Sequence, residues 1–219
     1  MIRRSRHWVI AIAACGLAAG LATPAMAHPH VWVKVETTVV YEQGAIAALA
    51  QRWTFDDLYT AMAIQGLDTN NDGTYDRQEL AELAQVNMDG LKEFDYFTFP
   101  QLGGAKLALG EPKDYWLELA EGVLTLHFDL PLADPVLAEA EGFTFAVYDP
   151  SYFIAFDMAE KSPVVLGAGA PKGCTVEIGS PAKEADDAQR LGEAFYNQLG
   201  GANFGISTAK TVAIVCPKS

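Results

Sequence analysis

Positive charge is scarce in this chain of 219 residues: 15 Lys and Arg stand against 28 Asp and Glu, a formal charge of −13. A surface so short of cations cannot neutralise a row of phosphates, which excludes nucleic acid as a partner. It also offers no basic patch for anionic lipid. Cysteine is limited to three residues, with no CxxC pair, and HExxH, a phosphate loop and a nucleophile elbow are all missing. Beyond the first 27 residues no run is long and apolar enough to cross a bilayer. Internal repeats and low-complexity segments are absent as well. What is present, 50% hydrophobic, 11% aromatic and 20% charged residues, describes a chain that folds. Its length suits one domain, or one domain with a small insert.

The first 27 residues read as an address. Arg3, Arg4 and Arg6 precede an apolar run from Trp8 to about Ala22, which ends in Thr23-Pro24-Ala25-Met26-Ala27. That is the layout of a secretory signal peptide, with cleavage expected after Ala27. Ile12-Ala13-Ala14 before Cys15 also resembles a lipobox, so a lipid anchor at Cys15 stands as the alternative to soluble export to the periplasm. Export leaves residues 28–219 as a single mature domain, with 12 Lys and Arg against 28 Asp and Glu, a formal −16. Cys174 and Cys216 remain, each in an apolar β-branched stretch. In an oxidising compartment the pair is expected to form a disulfide, and two free buried thiols are the alternative.

Along the mature chain, Val31 to Tyr41 alternates with period two, Gln43-Gly44 reads as a turn, and Ala45 to Phe55 can return as a hairpin partner. Asp56-Asp57 stands where a helix N-cap belongs, ahead of a helix-like stretch from Leu58 to Leu67. A polar loop leads to a second helical stretch, Arg77 to Lys92. Strands are expected at Phe94–Phe99, Lys106–Leu109, Tyr115–Leu119, Val123–Leu130, Phe143–Tyr148, Tyr152–Phe156, Gly173–Ile178 and Thr211–Cys216, with Glu121-Gly122 as a hairpin turn. Lys183 to Leu199 carries apolar residues at helical spacing. The expected fold is α+β: a mainly antiparallel β-sandwich-like domain with a helical insert over residues 56–93 and a C-terminal helix.

The most specific pattern lies in that insert. The twelve residues from Asp68 to Glu79 put Asp68, Asn70 and Asp72 at positions 1, 3 and 5, where side-chain oxygens converge on an ion in an EF-hand. Gly73 at position 6 permits the sharp turn, and Thr74 at position 7 can offer its carbonyl. Asp76 at position 9 can bind directly or through water, and Glu79 at position 12 can give both oxygens. Tyr75 departs from the usual aliphatic residue at position 8. With no second loop to pair with, the expectation is a structural Ca2+ clip rather than a sensor, and an Asn/Asp/Gly-rich turn without metal is the alternative reading.

Three histidines survive export: His28, His30 and His127. Imidazoles and a free amine at a new terminus suit Zn2+, Ni2+ or Cu2+. Pro29 has no N–H, which excludes a site wrapped by successive deprotonated amides. A chelate through the His28 amine and ring needs no amide and stays open, with His30 beside it and His127 as a third ligand from another strand. A frayed polar terminus and an ordinary strand histidine are the competing reading.

At His28-Pro29-His30-Val31-Trp32-Val33, Trp53-Thr54-Phe55-Asp56-Asp57, Leu91 to Thr98 and Tyr148 to Phe156, the chain resembles a bacterial family of exported proteins. Its members are described as the periplasmic component of an uncharacterised ABC-type transport system. The resemblance implies a periplasmic metal-handling role beside nickel/cobalt- or zinc-type transporters, and it favours His28 and His30 as ligands. It supplies no catalytic residues, and it leaves Asp149 and Asp157 as further acidic candidates. The expected function is therefore a binding protein or accessory for a divalent transition-metal transporter, a monomer whose partners are metal ions and a membrane metal permease. The alternatives are a histidine-brace copper enzyme and a calcium-stabilised adaptor without transition metal.

Overall fold

The structure, a computed structural model, describes residues 29–179 and 209–217. In chain order its elements are β1 (Val31–Glu42), β2 (Ala45–Phe55), α1 (Asp57–Ala63), α2 (Ala81–Lys92), β3 (Thr98–Leu102), β4 (Ala105–Lys106), β5 (Lys113–Ala120) and β6 (Val123–Leu137). Then come β7 (Phe143–Val147), β8 (Ile154–Met158), β9 (Val164–Leu166), β10 (Thr175–Gly179) and β11 (Thr211–Val215). About half of the described chain is strand and little of it is helix, which makes this a mainly β member of the α+β class. The helix expected over Lys183–Leu199 and the segment through His28 lie outside the described residues.

The strands form two sheets. One runs β5-β6-β2-β1-β8, with β9 also paired to β1, and the other runs β10-β11-β7-β3-β4. The β1–β2 hairpin follows from strict alternation: Val31, Val33, Val35 and Val39 point inward and are buried, while Trp32 and Lys34 point out. Gln43 and Gly44 close it with φ of 50° and 79°, the double left-handed conformation a two-residue hairpin requires. The inner faces of both sheets contribute to one core that contains Trp53, Leu126, Phe128 and Leu130 from the first sheet and Phe143, Phe145 and Val212 from the second.

Pairing is mainly antiparallel, as expected from the sequence, with two exceptions. β8 and β9 both lie parallel to β1. A parallel neighbour needs a long crossover, and here the chain's excursion through β3 and β7 of the second sheet supplies it. A correction to the expected strands falls at Phe94–Phe99. Instead of one strand, Asp95, Tyr96 and Phe97 take φ of 51°, 51° and 47°, and β3 begins only at Thr98. Left-handed backbone costs L-residues roughly 1–2 kcal/mol each. Burial of Tyr96 and Phe97 offsets that cost, with Phe97 stacked on Phe94 and the Thr98 hydroxyl donating to the Tyr96 carbonyl.

The helices are shorter than their apolar patterns suggested. α1 ends at Ala63 and α2 starts at Ala81, so residues 64–80 form turns and loop. Asp56 caps α1 as expected: Oδ1 accepts from the N–H groups of Leu58 and Tyr59, both at 2.9 Å. Its other oxygen accepts from Trp32 N–H at 2.8 Å, which pins the helix start to the first strand. In the second sheet, Cys174 and Cys216 form a disulfide across the antiparallel ends of β10 and β11, where Thr175 faces Val215.

Candidate metal loop and the histidines

The Asp68–Glu79 loop is shaped by its own carboxylates. Asp68 accepts from the N–H groups of Asp72 and Gly73 at 3.2 and 3.0 Å, and Asn70 Oδ1 accepts from Asp72 N–H at 2.8 Å. Asp72 accepts from Thr74 N–H and hydroxyl at 2.7 and 2.6 Å. Asp76 accepts from the N–H groups of Gln78 and Glu79, as an N-cap does. Glu79 reaches back across the loop to Thr69 N–H and hydroxyl at 2.8 and 2.9 Å and to Asp76 N–H at 3.2 Å. Gly73, at φ 79°, turns the chain where a side chain would strain it.

These bonds also set the charge state. The Thr74 hydroxyl and N–H hold the Asp72 carboxyl below its ordinary range. The Asp76 N–H, with help from the Thr69 and Asn70 groups, outweighs desolvation to do the same for Glu79. Four carboxylates, one amide oxygen and the Thr74 carbonyl form an all-oxygen donor set of the hardness and number that Ca2+ takes. By that chemistry the residues fit calcium. Their oxygens are turned onto backbone N–H groups, and among the described residues no three His, Cys, Asp or Glu side chains converge on one point.

Of the histidines, the two among the described residues, His30 and His127, are not brought together. His30 sits at the exposed start of β1; its N–H donates to the Phe153 carbonyl at 2.8 Å and its ring lies 4.7 Å from that of Phe153. His127 faces Arg52 on β2, which in turn faces Glu36 on β1, six residues along from His30. Two strand spacings and six residues of rise separate the two rings by roughly 20 Å. His127 instead stacks on Trp116, with ring centroids 3.9 Å apart and planes within 1°, and its Nε2 lies 3.3 Å from Glu118. Burial pulls the His127 pKa below its ordinary value despite the opposing pull of Glu118.

The two acidic candidates of the Tyr148–Phe156 segment are committed elsewhere. Asp149 is buried and accepts from Ser151 N–H, the Ser151 hydroxyl and Ile154 N–H, which delays the start of β8 to Ile154. Asp157 bridges Lys34 and Lys210 at 2.9 and 3.2 Å. Sequence reasoning missed Arg77, at position 10 of the loop, whose guanidinium lies 4.0 Å over the Trp116 ring. No local pattern could have joined the two, because Trp116 is delivered by a strand from the far side of the insert.

The fold and the loop define a class: a mainly β domain of two sheets around one core, with a single disulfide and a short helical segment that carries an acidic loop. The chain belongs to the family described as "Protein of unknown function (DUF1007)", whose pattern matches residues 12–216. It is 28% identical over 156 residues to an uncharacterised protein of Haemophilus influenzae, covering 71% of this chain and 74% of that one. It is also 32% identical over 99 residues to an uncharacterised 15.5 kDa protein of Spirochaeta aurantia, encoded in the trpE 3' region; 45% of this chain and 70% of that one are covered. No solved structure matches the chain.

Proposed function

We propose that the protein is an exported, periplasmic metal-handling accessory of a divalent transition-metal transport system of the ABC type, clipped by Ca2+ in an EF-hand-like loop. In this reading residues 28–219 are one mature domain, its two sheets form a sandwich, and residues 56–93 are the EF-hand-like insert. The observation that carries most weight is the Asp68–Glu79 loop, where six oxygen donors occupy calcium-ligand positions and Gly73 makes the turn at position 6. The Cys174–Cys216 disulfide supports an oxidising compartment. Support for the transition metal comes from His30, exposed and backbone-anchored beside the expected terminal His28. A copper brace built with His127 is disfavoured by the separation of His127 from His30.

Elemental analysis of tag-free protein purified from the periplasm is the direct test. Stoichiometric zinc, nickel or copper that is lost in His28→Ala/His30→Ala supports the reading. Calcium alone, raising the melting temperature while transition metals fail to bind, would leave a calcium-stabilised adaptor in its place.

A further inference from the structure

The indole of Trp116, on β5, is covered on two sides. The Arg77 guanidinium lies 4.0 Å from its centroid, and the His127 imidazole lies parallel to it at 3.9 Å. Two planar groups at that distance cannot share one face of a ring, so Arg77 and His127 must lie on opposite faces. Arg77 belongs to the loop, one residue after Asp76 and two before Glu79, whereas Trp116 and His127 belong to the first sheet, where they face each other across β5 and β6. The stack thus joins the exit half of the loop to the outer face of that sheet. Farther along, Gln85 and Tyr115 of β5 share a hydrogen bond and Lys92 pairs at 2.7 Å with Glu111, two residues before that strand, so α2 is held on β5 and its approach. Among the described residues, the side-chain hydrogen bonds of the entry half, residues 68–74, are made within the loop.

We propose that Arg77 is a positioning residue which couples ion occupancy of the loop to the Trp116–His127 face of the sheet. This inference rests on the calcium reading of the loop. Asp76 and Glu79 flank Arg77, so turning their carboxylates from backbone N–H groups onto an ion moves the backbone that carries the guanidinium. Coupling is reciprocal: an ion that shifts the stack requires that the stack shift the ion's affinity. An exposed cation–π contact changes an equilibrium by about 2- to 5-fold, so that is the expected size. Because the stack holds the exit half in place before an ion arrives, its loss should weaken binding.

The test uses mature, tag-free protein titrated with calcium chloride, with binding followed by calorimetry and the Trp116 indole and His127 ring followed by NMR. The expected result is that calcium shifts the resonances of Trp116 and His127 while leaving those of Trp32 in place. Trp116→Leu, which keeps the Arg77 charge, should weaken calcium binding about 2- to 5-fold. Arg77→Lys keeps the charge without the planar contact and should act in the same direction, which guards against misfolding of the Trp116 variant. Calcium binding with unmoved Trp116 and His127 signals and an unchanged affinity in both variants would overturn the coupling and leave the loop reading intact. Wild-type protein that binds no calcium would overturn both.

Discussion

The β1–β2 hairpin and the Asp68–Glu79 loop are separated by one short helix, yet opposite forces hold them. The hairpin buries Val33, Val39, Leu49 and Trp53 almost completely, and its stability comes from apolar area removed from water. The loop buries little. Its shape depends on carboxyl and amide oxygens turned onto backbone N–H groups, bonds that exposure to water makes individually weak. The sheet therefore needs nothing from solution, whereas the loop's geometry depends on whatever occupies or protonates its carboxylates.

The largest effect should come from the sheet. Trp53 is 1% exposed and meets Phe128 and Phe156 edge-on. Trp53→Ala should lower the unfolding free energy by about 3–5 kcal/mol, read as a fall in the denaturation midpoint at unchanged m-value. A loss below about 1 kcal/mol would mean that stability is not concentrated where burial is greatest.

Next in size is the covalent tie of the second sheet. Cys174 and Cys216 are 42 residues apart, and opening a loop of that length typically costs about 2–4 kcal/mol through the unfolded chain. The Cys174→Ser/Cys216→Ser variant should lose that much in equilibrium unfolding while calcium binding at the loop stays unchanged. A large loss of calcium affinity would break the division drawn between sheet and loop.

Asp56 stands at the boundary of the two regions, capping α1 and accepting from Trp32 N–H. Asp56→Ala should cost about 0.5–2 kcal/mol, with Asp56→Asn recovering part of it. Burial pushes this carboxyl up, but the N–H groups of Trp32, Tyr59 and Leu58 prevail and hold its pKa below the ordinary value. The unfolded chain then binds more protons, so the contribution is complete above the ordinary carboxylate range and fades as pH falls through the depressed value.

Period-two patterning made the hairpin legible down to its ends, because a single buried face fixes both alternation and register. The α1 cap and the strand pair carrying the disulfide were legible for similarly local reasons. β6 passes the expected end at Leu130 and continues through Pro131 and Pro135 to Leu137. Pro131 loses one donor, but its carbonyl still accepts from Gly110 N–H at 2.8 Å. The left-handed turn at Asp95–Phe97 contains no glycine to announce it, since tertiary burial of two aromatic rings imposes it. β9 has only three residues and exists because β1 offers it a parallel edge. For the loop, spacing singled out Asp68, Asn70, Asp72, Asp76 and Glu79, whose side chains bond to the loop's own backbone. The stack of Arg77, Trp116 and His127 was invisible because it depends on strand register across an intervening helix.

The smallest effect on global stability, and the sharpest on the loop, is expected from acid. Asp72 is exposed and Glu79 half-buried, and both are held below their ordinary values, by Thr74 and by the Asp76 and Thr69 groups respectively. For each, the unfolded state takes up its proton first as pH falls. Their support of the loop should be intact above the ordinary carboxylate range, about pH 4, and should disappear as pH drops through the depressed values. The amide resonances of Thr69 and Thr74, which donate to Glu79 and Asp72, should titrate in that acid window while those of the buried Leu126 stay fixed. Glu79→Gln should abolish the Thr69 transition and spare that of Thr74; Asp72→Asn should do the reverse. Because a bound cation competes with protons for the same oxygens, added calcium should move both transitions to lower pH. Transitions that ignore calcium would mean that the carboxylates hold only the backbone.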